Sequence, residues 1–180
     1  MILAAPPVDL RPAPLVVDVE AEDDGWIVAV PGAEAVARRA AETALGWVGG
    51  GAVVILLTDD ATVRDLNDRF RGRDSATNVL SFPAAPTPGA ETDAGGNGDI
   101  ALAFGVCRAE AEAQAIPLAD HLAHLVIHGV LHLAGHDHED DVEAAAMEAI
   151  EVRLLAGLGI GDPYRHDHRD GAPGAKGDHG

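Results

Sequence analysis

The chain has 180 residues, a length that suits one domain with a single core better than two. Its 12 basic and 30 acidic residues give a formal net charge of −18, which argues against a basic protein that coats duplex nucleic acid. The longest apolar run, residues 52–57, is far shorter than the roughly 20 residues of a membrane-spanning helix. Cys107 is the only cysteine, so intrachain disulfides and a cysteine-rich zinc site are excluded.

Composition divides the chain into three parts. Residues 1–12 are rich in proline and alanine and are predicted to be mobile, and residues 162–180 are predicted to be a disordered polar tail. Residues 13–161 are predicted to be a single folded domain. The first ten residues lack a basic segment followed by an unbroken apolar stretch, so we expect a cytoplasmic protein with no membrane partner and, given its charge, no DNA partner.

Hydrophobic periodicity predicts strands interleaved with helices, followed by a helical block. In chain order we predict a strand at 15–19, a helix at 32–47, a strand at 53–57, a helix at 59–70 capped by Thr58, a strand at 77–82, a flexible loop at 84–98, a strand at 99–104 and helices at 106–116, 118–134 and 139–155. This order is typical of an α/β or α+β protein. We expect the α+β class, with a small mixed β-sheet covered by helices, whose strand order the pattern does not reveal.

Histidines concentrate in one segment, with six of the nine lying between His121 and His138. His128 and His132 are four residues apart on a predicted helix, which stacks them on one face about 6 Å apart along the axis. Gly135 can adopt the left-handed conformation that ends the helix and brings His138 back as a third imidazole. Three protein ligands and one open position are typical of catalytic zinc. The sequence therefore predicts one Zn²⁺ per chain on these three histidines, and a single metal-dependent hydrolase domain over residues 13–161.

Other residues in the segment leave alternatives open. His124 and His128 form a competing pair on the same helical stripe, but only the pair with His132 is followed by a suitably placed third donor. His121 and His124 either line the approach to the metal or are simply polar residues of the helix. We expect a supporting role for His136 and an orienting role for Asp137. Without a metal, the same histidines would be exposed or hydrogen-bonded side chains.

The histidine spacing also matches a zinc-protease pattern, so a metal-dependent peptidase has to be considered. In that pattern a glutamate follows the first histidine and acts as general base. Here that position is Gly129. A metal can still generate a nucleophile by lowering the pKa of bound water to about 7. The departure argues against peptide hydrolysis, and a peptidase stays as an alternative.

A short segment before the third predicted strand holds four of the twelve basic residues, Arg64, Arg69, Arg71 and Arg73. The planar guanidinium group presents several N–H donors that suit phosphate oxygens. Alternatively, these arginines only stabilise the end of a helix and pair with nearby acids, namely Asp65, Asp68 and Asp74. Together with a metal, arginines are what a phosphodiester substrate requires.

Three segments in this order, residues 66–83, 98–100 and 128–138, resemble the YbeY family of bacterial rRNA-maturation endoribonucleases. The resemblance spans roughly Leu56 to Tyr164, and residues 161–164 are similar to the usual end of the family. Phe70, Ala76 and His136 stand where Tyr, Pro and Tyr are common. None of these departures removes a proposed ligand.

The resemblance implies a zinc-dependent, single-strand-specific endoribonuclease that acts in 16S rRNA 3′-end maturation and ribosome quality control. It implies zinc on His128, His132 and His138, and partners that include single-stranded rRNA and the small ribosomal subunit with its proteins. Arg71 and His128 are the predicted catalytic residues, and Arg69, Arg71 and Arg73 the predicted substrate-binding residues. A ribosome assembly factor with structural zinc remains a further alternative.

Overall fold

The computed structural model describes residues 13–85 and 98–165, which contain four strands and six helices. The strands are β1 (Leu15–Ala21), β2 (Gly51–Thr58), β3 (Val79–Pro83) and β4 (Gly98–Ala103). The helices are α1 (Asp24–Ala29), α2 (Ala33–Val48), α3 (Asp60–Arg71), α4 (Phe104–Gln114), α5 (Leu118–Leu133) and α6 (Asp141–Gly157). The predicted mobile segment 1–12, residues 86–97 of the predicted loop, and the tail after residue 165 lie outside the described residues.

The four strands form one mixed sheet in the order β1-β2-β4-β3. β1, β2 and β4 are parallel to one another, and β3 runs antiparallel to β4. The parallel pairs require crossover connections, which α2 supplies between β1 and β2. The α+β class predicted from the sequence, a small mixed sheet covered by helices, is confirmed.

One face of the sheet carries the main hydrophobic core. Alternate side chains of β2, Val53, Ile55 and Leu57, are at most 2% exposed and pack in one cluster with residues of α2 and α5. Alternation is expected because successive side chains of a strand point to opposite faces. The core therefore holds α5, which carries the clustered histidines, against the middle of the sheet.

A smaller cluster lies on the other face and positions α3. Val63 of α3 is buried together with Leu80 of β3 and Ala101 and Ala103 of β4. This contact holds α3 against the β3 side of the sheet, and the helix ends at Gly72, whose φ of 64° is in the left-handed region. The last residue of α3, Arg71, consequently lies beside β3.

The sequence analysis missed the six-residue helix α1. Its Trp26 is completely buried, and the indole N–H donates to the Thr58 carbonyl oxygen at 3.1 Å. Asp23 caps the helix by accepting a hydrogen bond from the Gly25 N–H at 2.8 Å. Two turns are too short to produce a recognisable helical period, which is why the sequence pattern did not reveal this helix. So short a helix is not stable alone, and the burial of Trp26 holds it in place.

Two predicted boundaries around the sheet are wrong. Thr58 does not cap α3, because it is the last residue of β2, is buried, and hydrogen-bonds the Glu22 carboxylate through its hydroxyl at 3.2 Å. The cap is Asp59, whose carboxylate accepts from the Thr62 N–H at 2.7 Å. Phe104, predicted to end a strand, is the first residue of α4.

The last described residues lie against α6. Residues 162–165 follow α6, and the Tyr164 hydroxyl donates a hydrogen bond to the Glu151 carboxylate. Tyr164 therefore packs against α6. Among the described residues no single helix has the length and apolarity to cross a membrane; α4 and α5 meet that test only when taken together, bent by 116°.

Candidate metal centre

Helix α5 ends in a turn that reverses the chain. The Gly135 N–H donates to the His132 carbonyl and the His136 N–H to the Leu131 carbonyl, both at 3.0 Å. Gly135 has a φ of 89°, so the left-handed conformation expected of this glycine is present. The pattern is a Schellman motif, which satisfies carbonyls at the end of a helix and turns the chain back. The turn brings His138 over the face of α5 that carries the other two histidines.

Three imidazoles meet at this turn. Each of His128, His132 and His138 offers one ring nitrogen, and these nitrogens all lie within 4.8 Å of one another. The two Nε2 atoms of His128 and His132 are 2.9 Å apart, and the His132 and His138 ring centroids are 4.9 Å apart. Within residues 13–85 and 98–165, no further His, Cys, Asp or Glu joins the group. The cluster could hold one metal ion and leave it open on one side.

The Glu151 carboxylate of α6 contacts His128 at Nδ1, the ring nitrogen opposite the one that lies near His132. The Glu151 side chain is 1% exposed, and Oε1 lies 2.5 Å from Nδ1 of His128. The other carboxylate oxygen contacts Nε2 of His124 at 3.0 Å and accepts from the Tyr164 hydroxyl. Because a carboxylate only accepts, Nδ1 of His128 is the donor in this contact, and in the neutral ring the lone pair is then on Nε2. A carboxylate behind a histidine in this way is common where histidine binds a metal.

The pKa values of these groups suit metal binding. Burial by itself raises the pKa of Glu151, but hydrogen bonds from His124, His128 and Tyr164 outweigh it and lower this pKa to about 2. Burial and the bond to Glu151 raise the pKa of the Tyr164 hydroxyl, which stays protonated. Burial, followed by repulsion from the neighbouring His128 and His138, lowers the pKa of His132 to about 4. At pH 7 the His132 ring is therefore neutral, with a lone pair available.

A family model described as endoribonuclease YbeY matches residues 28–159. The chain belongs to the YbeY family. The resemblance seen in the sequence is thus confirmed, and the matched range contains the three clustered histidines, Glu151 and Arg71. It ends before Tyr164, so the contact between that residue and Glu151 lies partly outside the matched range.

Named relatives agree with this assignment. The endoribonuclease YbeY of Paramagnetospirillum magneticum is 53% identical over 146 residues, which cover 77% of this YbeY-family chain and 89% of that protein. That of Azorhizobium caulinodans is 50% identical over 153 residues, covering 82% and 95% of the two chains. A solution structure from Thermotoga maritima superposes with a TM-score of 0.53 and 21% identity, covering 91% of this chain and all of that one, a likeness that bears on the fold alone.

Arg71 lies beside the histidines of this YbeY-family chain. With His128, His132 and Ser81 it lines a cavity of about 250 Å³. One of its N–H groups donates to the Ser81 carbonyl oxygen at 2.8 Å, and the guanidinium carbon lies 5.9 Å from the centre of the Phe82 ring. The side chain is exposed, so its remaining donors face solvent and the cavity.

The other arginines of the segment do not line that cavity. Arg64 forms a bidentate ion pair with Asp74, with Nε 2.6 Å from Oδ1 and a terminal guanidinium nitrogen 2.9 Å from Oδ2. Arg69 contacts Asp65 of the preceding turn at 3.4 Å, as the alternative interpretation of the segment proposed. No ion pair of Arg73 occurs within the described ranges. Both interpretations of the segment therefore apply. Arg64 and Arg69 pair with nearby acids, and Arg71 lies beside the histidines.

The remaining polar residues of the histidine segment lie outside the cluster. His124 contacts Glu151, and His121 contacts Glu110 through Nε2 at 2.8 Å, so the competing pair of His124 and His128 does not form a ligand set. Asp137 accepts a hydrogen bond from the His138 N–H at 2.7 Å and so orders the turn. His136 is not part of the cluster.

Gly129 explains why a protease-type glutamate is absent. The glycine is buried against the sheet, and a Cβ atom there would lie 2.9 Å from Cδ1 of Ile100 and 3.2 Å from Oγ of Ser81. A glutamate would force a carboxylate into this tight contact and would destabilise the fold, because the core would be overpacked and the charge would lose its hydration. The close approach of α5 to β3 and β4 thus leaves no room for a general base at this position.

Sequence analysis did not single out Glu151 or the role of Tyr164. A signal for Glu151 exists, because it interrupts an apolar stripe on α6 in which Met147, Leu154 and Leu155 are buried. A charged residue in the buried stripe of a helix needs partners, and the partners here come from α5 and from the chain after α6.

Proposed function

We propose that this protein is a zinc-dependent endoribonuclease that cuts single-stranded RNA. The observation that carries the proposal is that Arg71 lines one cavity with His128 and His132, in a chain whose relatives are named endoribonucleases. By resemblance we extend the proposal to 16S rRNA 3′-end maturation and ribosome quality control in the cytoplasm. The small ribosomal subunit and its proteins are then its partners.

The donor set fits zinc. Two ligands of a tetrahedral zinc, each bound at about 2.0–2.1 Å, lie roughly 3.3 Å apart, close to the 2.9 Å between the Nε2 atoms of His128 and His132. His138 supplies the third nitrogen. When bound, zinc supplies Lewis acidity and lowers the pKa of water at its open position to about 7.

The residues of the chain have separate tasks in this proposal. Glu151 keeps the proton of His128 on Nδ1, so that Nε2 faces the cluster. Arg71, fixed by the Ser81 carbonyl, directs its other N–H groups at the oxygens of the scissile phosphate and offsets the charge that develops there. Arg69 and Arg73 only contribute positive charge along the path of the strand.

The net charge of −18 opposes RNA at long range. Binding therefore depends on the local charge of Arg71 and the metal, and we expect it to be weak and strongly salt-dependent. Ribosomal proteins that present the strand would compensate for this repulsion, which agrees with a role on the small subunit.

Removal and return of the metal test the proposed function. We expect the zinc-loaded protein to cut a labelled single-stranded RNA, to lose this activity after dialysis against a chelator, and to regain it with one equivalent of zinc. A duplex of the same sequence should stay intact, and casein serves as the parallel substrate. Cleavage of casein instead of RNA would identify a peptidase. Zinc binding that stabilises the fold without cleavage of either substrate would identify an assembly factor.

Arg71→Ala is expected to lower the kcat of RNA cleavage by about 10²–10³-fold, the usual effect of removing one donor that stabilises the transition state. Zinc content should not change, because Arg71 is not among the clustered donors. Arg69→Ala is the matched control, since it removes the same charge from the same helix turn but does not border the cavity. Equal losses in the two variants, or full activity of Arg71→Ala, would contradict the assigned role.

A further inference from the structure

A second and larger cavity adjoins the one that Arg71 lines. Its volume is about 470 Å³, and it shares Asn78, Val79 and His128 with the Arg71 cavity. The rest of its wall comes from α4, α5 and the chain after α6, including Glu110, Gln114, His121, His124 and Tyr164. The metal centre therefore has one cavity with a guanidinium group and another without Lys or Arg in its wall.

The second cavity presents a carboxylate that its neighbours hold in place. The Asn78 side-chain N–H₂ contacts both oxygens of Glu110, at 3.3 and 3.1 Å, and Nε2 of His121 lies 2.8 Å from Oε2. His121 is 4% exposed, so this contact anchors Glu110 to the buried face of α5. Oε2 thus has two contacts and Oε1 has one, and a carboxylate oxygen offers about two acceptor positions. Oε1 can accept one more N–H group.

The chemistry of this wall distinguishes the parts of a nucleotide. A phosphate would be repelled by Glu110, while Arg71 attracts it on the neighbouring side. A nucleobase is neutral and flat, and the same wall contains the rings of His124 and Tyr164, which stand edge to face at 87° and can contact a base by the face of one ring and the edge of the other. An exocyclic amino group of the base would supply the N–H that Oε1 lacks.

We infer that this cavity is a nucleobase subsite, which takes the base next to the scissile phosphate and prefers a base with an exocyclic amino group. The inference rests on the proposed function, whose substrate it specifies. The phosphate then lies on the side of Arg71, and the strand passes Asn78 and His128, which border both cavities.

This placement supplies a physical reason for cutting single strands. A base that reaches Glu110 must leave the stack and present its pairing edge to the protein, as is usual in sequence-dependent recognition of single-stranded RNA. In a duplex the same amino group is already engaged in a base pair. Flipping the base out would cost free energy that a small cavity with one free acceptor does not repay.

Nucleotide binding to the full-length, zinc-loaded protein tests the subsite without depending on cleavage. We expect cytidine 5′-monophosphate to bind about tenfold more tightly than uridine 5′-monophosphate. The amino group of cytosine can donate a hydrogen bond to the charged Glu110 carboxylate, whereas uracil has a carbonyl at that position. In NMR titrations, cytidine 5′-monophosphate should shift the Gln114 side-chain amide and the ring signals of His121 and His124. Equal affinities, or shifts confined to the side of Arg71, would overturn the inference.

Two variants refine this test. Glu110→Gln should reduce the preference for cytidine to less than about twofold, because its amide offers an N–H donor as well as an acceptor. Glu112→Gln is the matched control: it removes the same charge from the same helix, pairs with Arg108 and does not border the cavity, so it should keep the preference. A preference unchanged in Glu110→Gln contradicts the subsite, and if that variant does not fold, the wild-type titration decides alone.

Failure of the subsite and failure of the proposed function give different results. A cytidine preference in a protein that cuts no RNA would reject the endoribonuclease proposal and keep only the cavity's preference for a base with an exocyclic amino group. Zinc-dependent RNA cleavage with equal nucleotide affinities would reject the subsite and keep the endoribonuclease.

Discussion

Replacing His132 by alanine is expected to reduce bound zinc from one equivalent per chain to none and to abolish RNA cleavage. The ring of His132 is close to both other imidazoles, with its centroid 4.5 Å from that of His128 and 4.9 Å from that of His138. Two remaining histidines do not hold zinc in the open three-ligand arrangement of catalytic sites. The measurement is metal content after gel filtration, together with cleavage of labelled single-stranded RNA.

The tail of the chain complicates that count, because His166, His168 and His179 can bind metal weakly. The experiment therefore uses a full-length background in which these three are replaced by asparagine. His136→Ala is the matched control, since this residue lies in the same turn but outside the cluster, and it should retain one equivalent. Zinc that persists in His132→Ala, or is lost equally from His136→Ala, would refute the predicted ligand set.

The same variant separates a catalytic metal from a structural one. A structural zinc contributes folding free energy, so its loss unfolds the domain. Here α5 is held by a hydrophobic core that does not depend on the histidine side chains. We therefore expect His132→Ala and the metal-free wild type to unfold cooperatively at similar temperatures. An unfolded His132→Ala protein would favour the assembly factor with structural zinc.

Replacing Glu151 by alanine is expected to lower the free energy of unfolding by about 3–5 kcal/mol, the usual result of removing one partner from a buried charged network. His124, His128 and Tyr164 would each lose an acceptor, a carboxylate whose side chain is 1% exposed. Zinc affinity should also fall, by about 10–100-fold, because the tautomer of His128 is no longer fixed. Denaturant unfolding of the metal-free protein measures the first effect and competition with a chromophoric chelator the second.

Tyr164→Phe is the conservative control for Glu151. It removes one donor to the carboxylate and leaves both histidine contacts, so we expect a loss of about 1.5–3 kcal/mol, less than in Glu151→Ala, and little change in zinc affinity. A Glu151→Ala protein with wild-type stability and zinc affinity would show that the carboxylate does not support the metal centre.

The pH dependence of this stability difference has a definite sign. The hydrogen bonds lower the pKa of Glu151 from about 4.5 to about 2, although burial opposes them. A lowered pKa means that the unfolded state binds the proton more tightly, so the contribution of Glu151 is complete above pH 4.5 and declines as the pH falls toward 2. The difference between the wild type and Glu151→Ala should therefore be smaller at pH 3 than at pH 7.

The features predicted correctly from the sequence depend on neighbours along the chain. Helical periodicity puts His128 and His132 on one face, and Gly135 ends the helix and returns His138 within three residues, without help from the rest of the fold. The same local rules predicted the strands and the longer helices to within a few residues. They failed for α1, because a helix of two turns has too few residues to show a period.

Contacts between distant segments were decided by the tertiary structure. The strand order β1-β2-β4-β3 puts β3 at the edge of the sheet. Arg71 bonds Ser81 of that strand and shares a cavity with His128 and His132, whereas Arg69 and Arg73 do not line it. Glu151 reaches His128 across 23 residues because α6 packs on α5. Periodicity reveals which face of an element is buried but not which element covers it, since many pairings bury similar apolar area. The cluster of three histidines was thus readable from local sequence, whereas the contacts that support it and the residues that line the cavities beside it depended on packing.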